Sequence, residues 1–164
     1  MDESTFIAAL DDAVSGAVAA FAIRRPGHRL AGLALCTDDD LCTLCPMAVS
    51  AEDVERSPHQ DLLFQPTEWQ IDVEYKEVRE VDLELQRRSE ETSSFPTYVD
   101  ETFAALVSAL HRARASGLVE AGVFLTVLST DPSEKLSLLE DEAVRVLNVP
   151  TLAAARWEYI SRFR

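Results

Sequence analysis

Leu30 to Val49 read LAGLALCTDDDLCTLCPMAV, and the fold is decided by how this stretch is taken. Two apolar runs flank a short acidic turn, Asp38-Asp39-Asp40. That pattern predicts a β-hairpin at the middle of the molecule, with helices laid on it. Leu30 to Thr37 is nearly continuous in small apolar residues, as in a strand buried on both faces. Cys42 to Val49 is the expected return strand. Pro46 within it lacks an N–H and belongs at an edge, a bulge or the strand end.

Upstream, Ser4 to Arg24 carries Phe6, Leu10, Val14, Ala17, Val18 and Phe21 at helical spacing. Ser4 is the expected cap and Pro26-Gly27 the stop. Downstream, Ser50 caps a short turn over Ala51 to Arg56. Glu68 to Lys76 then alternates, with Trp69, Ile71, Val73 and Tyr75 on one face and Gln70, Asp72, Glu74 and Lys76 on the other. This predicts a half-exposed antiparallel strand. From Glu77 the period becomes helical to about Glu90, and a second strong helix is expected from Thr97 to Ser116. Gly122 to Thr130 reads as a buried strand. A helix opening at Asp131-Pro132 and another capped by Thr151 complete the chain. The whole is expected to be a single α+β domain, residues 1–164, with a mainly antiparallel sheet of about four strands and helices packed against it.

Composition narrows the function classes. With 47% hydrophobic residues in 164, the chain can bury a proper core. The formal charge is −14, from 29 acidic against 15 basic residues. Nucleic-acid phosphates and anionic membranes both call for clustered Lys and Arg, so neither is an expected partner. Asp38 to Glu91 holds 16 acidic and 5 basic residues, and so carries 11 of the 14 excess negative charges. An acidic face suits a basic protein partner; the plainer reading is that acidity keeps the protein soluble. Met1-Asp2-Glu3 offers no basic start to a signal peptide, the longest apolar run, Ala17 to Ile23, is short for a bilayer, and three cysteines is an odd number. A cytoplasmic location is the expectation.

No stretch carries a strong catalytic motif. Cys42-Thr43-Leu44-Cys45, with Cys36 nearby, is the most suggestive cluster. Structural zinc takes four ligands from paired motifs, and here the second pair is missing, although His28 or His59 could complete a set. A redox pair needs its first Cys at a helix N-terminus, whereas Cys42 and Cys45 fall in an expected strand, three apart and on opposite faces. Buried structural thiols are the plainer reading. The acids of Asp38-Asp39-Asp40 lack the alternate spacing and glycine of a calcium loop. Asp131 is read as a helix-capping residue. His28, His59 and His111 lack diagnostic partners, and five glycines leave little room for a phosphate loop. No metal or other cofactor is expected. Trp69 is expected in the core; on an exposed face it would join Ile71 and Tyr75 as a binding anchor. Near the C-terminus, Trp157 stands among Arg156, Arg162 and Arg164, a basic end able to meet the acidic segment within one chain or between two.

Leu33-Ala34-Leu35-Cys36-Thr37-Asp38-Asp39, then Cys45-Pro46, Pro66-Thr67-Glu68-Trp69 and Ser129-Thr130-Asp131, resemble a bacterial family of small acidic proteins that is a domain of unknown function. Its strand ends in Thr-Asp-Asp and is followed later by Glu-Trp, with an aromatic preferred where Cys36 stands. The family is similar in look to α+β immunity proteins encoded beside toxins, and it transfers no catalytic residue. The leading expectation is therefore a non-catalytic protein-binding module, of immunity type, that neutralises a basic toxin partner. Asp38, Asp39, Asp40, Asp72 and Glu74 would form its acidic surface and Trp69 and Tyr75 its aromatic anchors. The alternatives are a small metal-binding or redox enzyme using Cys36, Cys42 and Cys45, and a structural homodimer joined through the Arg-rich last helix.

Overall fold

The computed structural model describes residues 1–58, 61–69, 71, 72 and 76–162, with backbone only for 71, 72, 76 and 77. At its centre is the expected hairpin. β1 (Leu30–Thr37) and β2 (Cys45–Ser50) pair antiparallel, from Leu30 opposite Ser50 to Cys36 opposite Cys45. The return strand starts at Cys45 rather than Cys42, because the Asp38 carboxylate takes the Cys42 and Thr43 N–H groups into its own loop.

β4 (Phe124–Ser129) lies on the other side of β1 and runs parallel to it, in register from Gly32 and Phe124 to Thr37 and Ser129. β3 (Ile71–Asp72) adds two residues against Ala48 and Met47, giving the order β3-β2-β1-β4. The fold is α+β, but its sheet is mixed: three full strands and a two-residue edge, not four mainly antiparallel ones. The long α4 (Phe95–Ala115) precedes β4 and packs across the sheet, so the chain is delivered back at the end where β1 also starts. The expected strand over Glu68 to Lys76 shrinks to β3. Pro66–Glu68 is a 3-10 turn, α3 (Lys76–Glu91) begins at Lys76, and Val73, Glu74 and Tyr75 lie outside the described residues.

Two apolar layers sandwich the sheet. Leu33, Leu35, Ala48, Leu125 and Val127 meet α1 (Glu3–Arg24), α3 and α4 in the larger layer. Asp2 caps α1, its carboxylate accepting from Thr5 N at 2.8 Å, while Ser4 only hydrogen-bonds to that carboxylate. α1 has the length and apolar composition of a bilayer span, yet Phe6, Leu10, Val14, Ala17 and Phe21 are buried in this layer. The smaller layer joins Ala34, Cys36, Val49 and Phe124 to Trp69 and to residues of α5 (Glu134–Leu147) and α6 (Pro150–Ser161). α2 (Ala51–Arg56) is capped by Ser50 as expected. Ser133, not Asp131, caps α5, and Pro150 rather than Thr151 opens α6.

α5 also closes the free edge of β4. The Asn148 amide accepts from Leu125 N at 2.8 Å and donates to Leu125 O at 2.7 Å, imitating a neighbouring strand. Glu140 accepts from Ser129 N at 2.6 Å. Four strand residues span about 13 Å and eight helix residues about 12 Å, so one helix face reaches both points. An edge with open N–H and C=O groups invites aggregation, and this helix covers it.

Candidate functional site

β1 and β4 are parallel, so both deliver their C-terminal ends to one edge of the sheet, where ligand sites of such strands gather. Thr130 N donates to Thr37 O at 2.9 Å, which sets Asp38-Asp39-Asp40 beside Ser129-Thr130-Asp131. Asp38 and Ser129 are 91 positions apart in the chain (129 − 38), and only the parallel register of β1 and β4 joins the two motifs.

The acidic loop is firmly held. The Asp38 carboxylate accepts from Cys42 N at 2.6 Å and Thr43 N at 3.4 Å. Leu41 sits at φ 55 with its side chain fully buried, a left-handed conformation that costs a branched residue about 1–2 kcal/mol. Its burial and the Tyr98 hydroxyl, which donates to Leu41 O at 2.8 Å, offset that cost. Leu44 N donates to Asp82 on α3 at 2.6 Å. Burial raises the Asp82 carboxyl, Leu44 N opposes that shift, and the nearby Asp38 charge adds to it. Burial likewise pushes the Tyr98 hydroxyl up. Asp38 is thus a loop-closing residue, while Asp39, Asp40 and Asp131 are exposed.

A family model described as "Domain of unknown function (DUF4303)" matches residues 10–149. The chain belongs to that family. No curated protein and no solved structure matches it.

In this DUF4303 chain Trp69 and the backbone of Asp72 lie apart from the acidic loops. Trp69 is 3% exposed; its indole N–H donates to Leu62 O at 2.8 Å and its ring lies against Gly32, so it is a core residue and not a surface anchor. The backbone of Asp72 lies in β3, at the opposite edge of the sheet from β4. Glu74 and Tyr75 lie outside the described residues. The basic C-terminal end meets the acidic segment within the chain through Arg162, which ion-pairs with Asp61 at 3.2 Å, while the Trp157 ring has Arg145 of α5 at 5.8 Å.

The cysteines are redistributed relative to the Cys42-Cys45 spacing. Cys36 and Cys45 are direct cross-strand partners, whereas Cys42 lies in the loop with its Sγ 3.4 Å from Asp40 O. None of the three is in a disulfide. His28 is near Ser50 Oγ (3.3 Å) and Glu52 (3.6 Å), His111 is exposed on α4, and His59 is outside the described residues. Among the described residues no three His, Cys, Asp or Glu side chains converge as a metal site.

Sequence reasoning missed Glu140 and Glu84. Burial raises the Glu140 carboxyl to about 7, against the opposing hydrogen bond from Ser129 N. Hydrogen bonds from Arg87, then Arg88 and the N-terminal ammonium, hold Glu84 down at about 2. Only the spacing of Glu140 and Asn148 on one helix face hinted at the edge-closing role. Elsewhere, an open cleft of about 670 Å³ lies between Asp53 and Arg56 of α2, Leu62, Glu68 and Trp69.

Proposed function

We propose that this DUF4303 protein is a non-catalytic binding module whose acidic edge receives a basic protein, and that it acts in the cytoplasm as an immunity-type protein against a basic toxin. The observation that carries the reading is the juxtaposition of two acidic loops by parallel β1 and β4. Asp39, Asp40 and Asp131 are exposed there, and among the described residues no basic side chain forms an ion pair with them. Fixed charges of one sign on a held loop accelerate encounter with an opposite charge and lose little entropy on contact.

The test uses the immobilised chain in lysate of the source cell, beside an Asp39→Lys, Asp40→Lys, Asp131→Lys variant with unchanged circular dichroism and melting. The expected outcome is one basic protein retained by the native chain, released as salt rises, and not retained by the variant. Equal retention by both chains contradicts the role given to this edge.

A further inference from the structure

We propose that Cys36 and Cys45 are a peroxide-sensitive pair that closes to a cross-strand disulfide at the base of the acidic loop. The two residues are opposed in the antiparallel ladder, at the end where β1 leaves the sheet and β2 enters it. Opposed antiparallel residues have Cα atoms about 4.5 or about 5.5 Å apart, according to the hydrogen-bonding position. Disulfides bridge Cα separations of roughly 4.4–6.8 Å, so either position is within reach. Directly opposed side chains also share a face. Both cysteines belong to the smaller apolar layer, and Cys42 does not.

The two thiols differ in a way that assigns their roles. Cys45 is half-buried, with its Sγ 3.7 Å from Met47 Sδ, and is the more exposed residue of the two. Cys36 is buried, and burial first, then the proximity of Cys45 and Glu140, pushes its thiol up to about 12. Hydrogen peroxide therefore meets Cys45. The Cys45 thiolate attacks one peroxide oxygen, the O–O bond breaks, and a sulfenic acid and hydroxide result. The Cys36 sulfur then attacks the Cys45 sulfur, the S–O bond breaks, and the oxygen leaves as water with the Cys36 proton. In sum two thiols and one peroxide give one disulfide and two waters; the sulfurs lose the two electrons that the peroxide gains. The loop closed in this way holds Asp38, Asp39 and Asp40, so oxidation clamps the base of the acidic edge.

The test treats the native full chain with stoichiometric hydrogen peroxide, then alkylates it after denaturation. Trypsin leaves all three cysteines between Arg29 and Arg56, so cleavage at Asp38 to Asp40 is needed to part Cys36 from Cys45. The expected product has lost two hydrogens, links the Cys36 and Cys45 peptides, and leaves Cys42 alkylated. Its melting temperature rises by roughly 5–10 °C, as closure of a short loop implies, and dithiothreitol reverses the change. Cys42→Ala keeps the link and Cys45→Ser abolishes it. A Cys42–Cys45 link, or Cys45 carried to sulfinic acid while Cys36 still takes alkylating agent, overturns the proposal. Both readouts come from the native chain and do not depend on any variant folding.

Discussion

One face of the sheet is covered by the long helices α1, α3 and α4, the other by α6, part of α5 and the turns between residues 61 and 69. The first layer is filled by Leu, Val and Phe at helical spacing, and its few polar groups are tied off, as Tyr98 is. The second is thinner and mixes Cys36, Cys45 and Met47 with a tryptophan resting on a glycine. Around the β4 edge it adds Glu140 and Asn148, polar side chains that hold backbone groups. Burial by repetitive helix faces thus supplies stability, whereas the side assembled from turns holds the groups with chemistry of their own. The acidic edge lies where the two meet, at the ends of β1 and β4.

The largest effect is expected on the helical side. Leu33→Ala opens a cavity at a fully buried position and costs about 3–4 kcal/mol by chemical denaturation. A loss under about 1 kcal/mol would mean the site collapses freely and the contrast between layers is overstated. On the other side, a Cβ at Gly32 would stand 2.6 Å from Trp69 Cη2 and 3.0 Å from Val49 Cγ1. Gly32→Ala must therefore displace the indole, at about 1–3 kcal/mol, with a change in Trp69 fluorescence in a Trp157→Phe background. Unchanged emission would show that the ring does not rest on that glycine.

At the β4 edge, Asn148→Ala strips Leu125 N and Leu125 O of their partner and costs about 1–3 kcal/mol. If it also promotes aggregation, the edge-closing role is confirmed by a second route; a soluble variant of native stability would remove that role.

The last effect is one of pH. The folded Glu140 carboxyl is raised to about 7 from its ordinary 4.5, so the folded state holds this proton more tightly than the unfolded chain does. Its contribution is complete below the ordinary carboxylate range and is lost as pH rises through 7. Glu140→Gln retains an acceptor for Ser129 N and should flatten the stability profile between those limits. Glu84, lowered to about 2, acts oppositely: its contribution is present above 4.5 and is lost as pH falls toward 2. Profiles of native chain and Glu140→Gln that run parallel through neutrality would contradict the assignment.

Much of the fold was legible. The apolar spacing of Phe6 to Phe21, the helix over Phe103 to Leu110, and the runs of β1 and β4 each announced their element. Pairing was not, because an apolar run shows that a strand is buried without showing beside what, or in which direction. Cys42 to Leu44 resembled strand because nothing local reveals that Asp38 captures their N–H groups. Trp69 proved buried as expected, but through a 3-10 turn begun by Pro66 rather than an alternating strand. Of the acidic site, Asp38-Asp39-Asp40 could be read directly, while Asp131 joined it only through the register of β1 and β4. The same dependence on register hid Cys36 and Cys45 behind the more conspicuous Cys42-Cys45 spacing.

On the proposed reading it is the position of the acidic charge, and not its amount, that makes a binding surface. The most direct test takes the basic protein that the native chain is expected to retain and measures its affinity for three chains of matched stability: native, Asp39→Lys with Asp40→Lys, and Asp12→Lys with Glu120→Lys. Asp12 is exposed on α1 and Glu120 lies before the start of β4, so the last two chains carry equal net charge in different places. The expected dissociation constant is at least about tenfold weaker for the first pair, roughly 1.4 kcal/mol, and little changed for the second. Equal loss from both pairs, or none from the Asp39 and Asp40 pair, would contradict it.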